Sequence, residues 1–154
     1  GEGSFRDTQG ILQKILSFSK DKKISVEEVE QVAGAPRGSL VNDFIKSIDG
    51  KDLPAGLEAV KSAVSNDIDM LVYLKMIIRK MRAVLLLKYA KNMEDSIKEE
   101  YSEDYFNFLK EMSAKKDSNI NSITLLEMLG VYDSVVRAHI PELPLELALV
   151  KICS

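Results

Sequence analysis

The sequence predicts an all-α protein, and three observations carry that prediction. Apolar residues recur at three- and four-residue spacing along most of the chain, and helix-start signals stand ahead of several of these runs. No run reads as a convincing strand. The expected architecture is a helical bundle preceded by two shorter helices, with no internal repeat of fixed period to suggest a solenoid.

The elements follow in order. Ser4 with Asp7 resembles a capping box, and Thr8, Ile11, Leu12, Ile15 and Phe18 share one face, so a helix is expected over about 5–18. After the polar turn 20–23, Ser25 and Glu28 form a second box, and Ile24 can staple onto Val29. Val29, Val32 and Ala33 continue that face, Gly34 stops it and Pro36 prevents resumption. From Gly38 a new face collects Leu40, Phe44, Ile45 and Ile48 before Asp49-Gly50 breaks it. Asp52 is placed to cap a helix with Pro54 in its first turn and Leu57, Val60 and Val64 on its face, making an antiparallel pair with the one before.

The longest segment, about 69–90, carries Met70, Leu74, Ile77, Ile78, Met81, Val84 and Leu85, with Leu71, Leu86 and Leu87 widening the stripe. Such a helix belongs in the middle of a bundle. Residues 92–101 are polar and weakly patterned, and a loop or a loose turn is expected there. Ser102 caps a helix bearing Tyr105, Phe108, Leu109 and Met112, and 115–119 interrupts it. A helix over about 120–138 follows, and a last one begins near Pro144 with Leu145, Leu147, Leu149, Val150 and Ile152.

Composition narrows the function classes. With 154 residues the chain can bury roughly two-thirds of its unfolded surface, and 45% hydrophobic against 29% charged residues is ordinary for a folded domain. Twenty-one basic against 24 acidic side chains leave a formal charge of -3, which gives no global attraction to nucleic acid or an anionic membrane. Cys153 is the sole cysteine, so neither an internal disulfide nor a cysteine metal cluster is available, and a reducing, cytoplasmic setting is expected. No apolar run approaches the ~20 residues of a membrane span, and the N-terminal stretch lacks signal-peptide character. The absence of an initiating Met suggests a piece of a longer protein.

Catalytic motifs are missing: there is no phosphate-binding glycine loop, no nucleophile elbow and no zinc-binding His-Glu motif. His139, the one histidine, stands near a helix end without companions for a metal, and a structural or exposed role is expected for it. No catalytic residue and no metal ligand are therefore assigned. Two basic features stand out. Lys75, Arg79 and Arg82 recur at i, i+4 and i+7, forming a stripe that reads as a solvated face paired with acids or as a partner contact. Arg6 sits in a first helical turn, where free N–H groups already favour an anion and a guanidinium can grip a phosphate; a simple carboxylate pair is the plainer use.

The run Glu2-Gly3-Ser4-Phe5-Arg6-Asp7 resembles the second-sensor motif that opens a lid helix in AAA+ clamp-loader ATPases. The stretches 11–15, 23–29 and 32–34, and the ending Leu143-Pro144-Leu145-Glu146-Leu147-Ala148-Leu149-Val150-Lys151-Ile152-Cys153, are similar to the gamma/tau subunits of bacterial DNA polymerase III. The run departs from the family pattern at Thr8-Gln9-Gly10. The resemblance spans nearly the whole chain and implies that 1–35 is the latter part of the AAA+ lid and 37–154 the collar domain through which subunits form a ring.

What it implies functionally is ATP-driven loading of the sliding clamp onto primed DNA, with partners among copies of the chain and delta- and delta-prime-type subunits. ATP and magnesium would bind an ATPase domain outside this sequence, where Arg6 would sense the terminal phosphate. The fragment itself would hold no cofactor and catalyse nothing. Lys75, Arg79, Arg82, Leu145 and Leu149 are the expected contact residues, because 70–87 and the final helix carry more apolar surface than one bundle face can cover. The competing expectation is a free-standing helical adaptor without nucleotide function.

Overall fold

The computed structural model describes residues 37–154. Arg6, the helices expected over 5–18 and 25–33, and with them the lid segment 1–35, lie outside the described residues. Seven α-helices follow one another: α1 (Arg37–Gly50), α2 (Leu53–Ser65), α3 (Met70–Tyr89), α4 (Glu94–Glu100), α5 (Glu103–Ala114), α6 (Ser122–Arg137) and α7 (Leu143–Cys153). A 3-10 turn at Lys91–Met93 leads into α4, and no strand occurs among the described residues.

The caps explain most of the boundaries. Asp52 accepts the Ala55 N–H at 3.2 Å, Asp69 accepts those of Leu71 and Val72 at 2.9 and 3.0 Å, and Ser102 accepts that of Tyr105 at 3.3 Å. Asn121 and Thr124 make a reciprocal box, each side chain holding the other's backbone N–H at 3.0 Å. The tight turns before α2 and α3 place Lys51 at φ 51° and Asp67 at φ 56°, the left-handed conformation such reversals require.

Helix α3 is the axis of the bundle, packed against α1, α5 and α6, while α7 closes the far side against α2 and α6. Its Tyr73, Leu74, Ile77 and Met81 are fully buried against Phe44, Ile45 and Ile48 of α1, and Phe44 meets Tyr73 edge to face at 6.0 Å. The start of α1 is pinned by two polar contacts from α3. Tyr73 donates its hydroxyl to the Leu40 carbonyl at 2.9 Å, and Lys80, 1% exposed, donates to Asn42 Oδ1 at 2.8 Å and the Gly38 carbonyl at 3.3 Å. The Lys80 ammonium also lies 4.0 Å from the centre of the Tyr105 ring, so its charge is buried with compensation on both sides.

Two expectations are corrected here. The loop or loose turn expected over 92–101 is mostly helical, a 3-10 turn leading into α4. Glu94 and Asp95 at its start and Lys98 in its last turn suit the helix dipole, and the single buried Ile97 anchors it. Helix α3 also keeps less spare apolar surface than expected: Val72, Met76, Ile78, Leu85 and Leu86 are half-buried, and only Tyr89 at its end is strongly exposed among its large apolar residues.

Candidate interaction surface

Helices α6 and α7 form an antiparallel hairpin across a five-residue connection, 138–142, with Glu127 near the start of α6 paired to Lys151 near the end of α7 at 3.2 Å. Each helix has an inward stripe. Thr124, Met128, Val131 and Val135 of α6 and Leu145, Ala148 and Leu149 of α7 are buried at helical spacing.

The outward stripe is also apolar. From α6 it takes Ile123 (76% exposed), Leu126 (67%) and Leu129; from α7, Leu143, Leu147 (60%) and Val150; and Ile140 adds to it from the connection. Only two other strongly exposed large apolar residues occur among the described residues, Val64 and Tyr89. Exposed apolar area is thus concentrated on one hairpin, which is the distribution expected of a contact face and not of scattered surface residues.

Between the two helices the hairpin is grooved, with a volume of about 670 Å³. Gly130, Val131 and Ala148 make its floor and Leu126, Leu143 and Leu147 rise along it. Arg137 and His139 stand at the connection end, and the Glu127–Lys151 pair at the other. Among the described residues no carboxylate lies within ion-pair distance of Arg137, including Asp133 one turn before it.

Two glycines distinguish the faces of this hairpin. A Cβ on Gly56 of α2 would come within 2.7 Å of Ser47 Oγ and 2.9 Å of Leu149 Cδ2, so its bareness is used by the inner face of α7. A Cβ on Gly130 would meet nothing within 4 Å, so no contact inside the described chain explains a glycine in the middle of α6.

The expected contact residues fall in different places. Leu145 and Leu149 are 0% exposed and belong to the core, because the inward stripe of α7 runs 145, 148, 149 and leaves 143, 147 and 150 outside. Lys75 is half-buried with its ammonium 5.5 Å from the Tyr132 ring, Arg79 faces Glu100 at 3.8 Å, and Arg82 is exposed. None of these three lines the hairpin groove. His139 is exposed and lines it. The outward residues of α6 escaped the sequence reading, though Ile123, Leu126 and Leu129 beside Met128 and Val131 already exceeded one stripe.

The chemistry elsewhere is spare. No group of three or more His, Cys, Asp or Glu side chains among the described residues could hold a metal ion, and no described helix is long and apolar enough to cross a membrane. Burial raises the Cys153 thiol pKa, with Asp52 adding to the effect, and its Sγ lies 3.9 Å from the Ser47 carbonyl oxygen. Comparison of the chain with family models, with curated proteins and with solved structures finds no match.

Proposed function

We propose that this chain is part of a clamp-loader subunit of the gamma/tau kind, in which residues 37–154 act as the collar that joins subunits. The observation that supports this reading is the concentration of exposed apolar side chains on the α6–α7 hairpin, whose last helix is the segment resembling the family's collar ending. A bundle that leaves only Tyr89 strongly exposed among the large apolar residues of α3 yet leaves seven such side chains exposed on one hairpin is suited to seating neighbours. Arg6 is assigned the phosphate-sensing contact, with ATP and magnesium held by an ATPase domain encoded ahead of Gly1, and the assembly is cytoplasmic.

The gene tests this directly. The coding sequence ahead of Gly1 must specify a strand followed by Gly-x-x-x-x-Gly-Lys-Ser or Thr; a start codon next to Gly1, or an unrelated domain, would overturn the reading in favour of an adaptor. On the same reading the chain alone gives flat calorimetry with ATP and magnesium, since one arginine cannot replace a phosphate-cradling loop, and a submillimolar affinity would contradict it. In the full-length protein Arg6→Ala should lower ATP-coupled clamp loading without unfolding the protein. Undiminished loading would remove Arg6 from that role.

A further inference from the structure

The hairpin groove has a shape, a bare point and an uncompensated charge, and together these specify an occupant. Leu126 to Arg137 spans twelve residues of α6, a length of about 17 Å at 1.5 Å per residue, or roughly three helical turns. Gly130 lies near the middle of that span with open space where a side chain would be. A glycine inside a helix weakens it relative to alanine, and what it offers in return is close approach by another backbone. At the connection end, Arg137 presents a guanidinium to the groove with no carboxylate of the described residues in ion-pair reach, whereas Lys151 at the opposite end is already paired with Glu127.

We propose that the groove between α6 and α7 binds a single amphipathic α-helix of about three turns from a partner protein, packed closely over Gly130 and carrying a carboxylate that meets Arg137. The guanidinium fork supplies a two-pronged contact that fixes the helix at one end, and the outward leucines supply the apolar seat. Apolar area is sufficient for such a contact. Leu126, Ile140, Leu143 and Leu147, which line the groove, together expose the equivalent of about two aliphatic side chains, or roughly 200 Å², a contact of the size one short helix makes, with Ile123, Leu129 and Val150 exposed beside it. The inference rests on the hairpin being a contact face and not on which assembly it joins.

The test uses the full chain and two fluorescent 15-residue helical peptides with the same leucine stripe, one with glutamates at both ends and one with lysines. Anisotropy should show the glutamate peptide binding at least tenfold tighter, and Arg137→Glu should erase or reverse that preference. Gly130→Leu, which fills the floor of the groove from an open position, should weaken binding at least tenfold while its melting temperature stays at or above that of the wild type. Equal affinity for the two peptides, or unchanged binding by a folded Gly130→Leu variant, overturns the proposal. It is equally overturned if the chain self-associates through this face without competition from either peptide, which makes a second copy the occupant. Peptide binding that emerges only after Val29→Asp would assign the groove to the chain's own N-terminal segment and would also overturn it. If the glutamate preference holds but the upstream gene encodes no ATPase, the clamp-loader reading fails and the docking site remains.

Discussion

The inner and outer faces of the α6–α7 hairpin are built from the same kinds of side chain and have opposite fates. Leu145 and Leu149 face inward at 0% exposure, while Leu147, two residues from each, stands 60% exposed. The difference lies in what the other helices reach. Helix α2 approaches so closely at Gly56 that the inner face of α7 is sealed, and no described element approaches Gly130 on the outer side. Hydrophobicity in the sequence therefore counts apolar surface without stating who covers it, and at the hairpin the described residues cover only half.

Stability measurements can break this contrast. Leu149→Ala should cost about 2–5 kcal/mol in denaturant unfolding, as expected for truncation of a buried leucine, whereas Leu147→Ala and Leu126→Ala should stay within about 0.5 kcal/mol. Similar losses for all three would mean that the outer face is covered within the chain.

A smaller effect is expected from alkaline titration of the interior. Burial pushes the Tyr101 hydroxyl up to about 12, with Glu100 adding to the rise and Arg79 and Arg82 opposing it. The folded state thus holds the proton more tightly than the unfolded state does. The resulting stabilisation is complete below pH 10 and is lost between about pH 10 and 12, on the order of 2 kcal/mol. Comparing the pH dependence of unfolding for wild type and Tyr101→Phe isolates it, and identical alkaline slopes would contradict the burial.

The two glycines sharpen the contrast further. Gly56→Ala should cost about 1–3 kcal/mol, because the new methyl must displace Ser47 Oγ or Leu149. Gly130→Ala should instead stabilise the isolated chain by up to about 1 kcal/mol, as alanine replaces glycine in a helix with free space beside it. Thermal melts of the pair read opposite signs; a destabilised Gly130→Ala variant would place an unseen neighbour over α6.

Much of the fold is legible in the sequence because its signals are local. Asp52 and Ser102 cap the helices they precede, and the 3.6-residue stripe of α3 identifies the bundle axis. Helix α4 is not legible from periodicity, since it holds one buried apolar residue, Ile97, and its evidence is the weaker pattern of end charges. The contact surface was legible as an excess of apolar residues but not as a location. The excess on α3 is absorbed by α1, α5 and α6, a matter of tertiary packing, and Leu145 and Leu147 differ only in helical phase relative to α2. Lys80 gives no sequence sign of burial, because its acceptors Asn42 and Gly38 come from a helix some forty residues away.

The outer face of the hairpin carries the exposed apolar side chains expected of a contact face for a partner protein. On the proposed clamp-loader reading, the outer face is tested by sedimentation of the protein mixed with delta- and delta-prime-type subunits, comparing wild type with the double variant Leu126→Asp, Leu147→Asp. Both positions are mostly exposed, so the variant should keep the wild-type melting temperature. The variant is expected to fail to enter the assembly the wild type forms. Entry of the folded variant with undiminished affinity would contradict it.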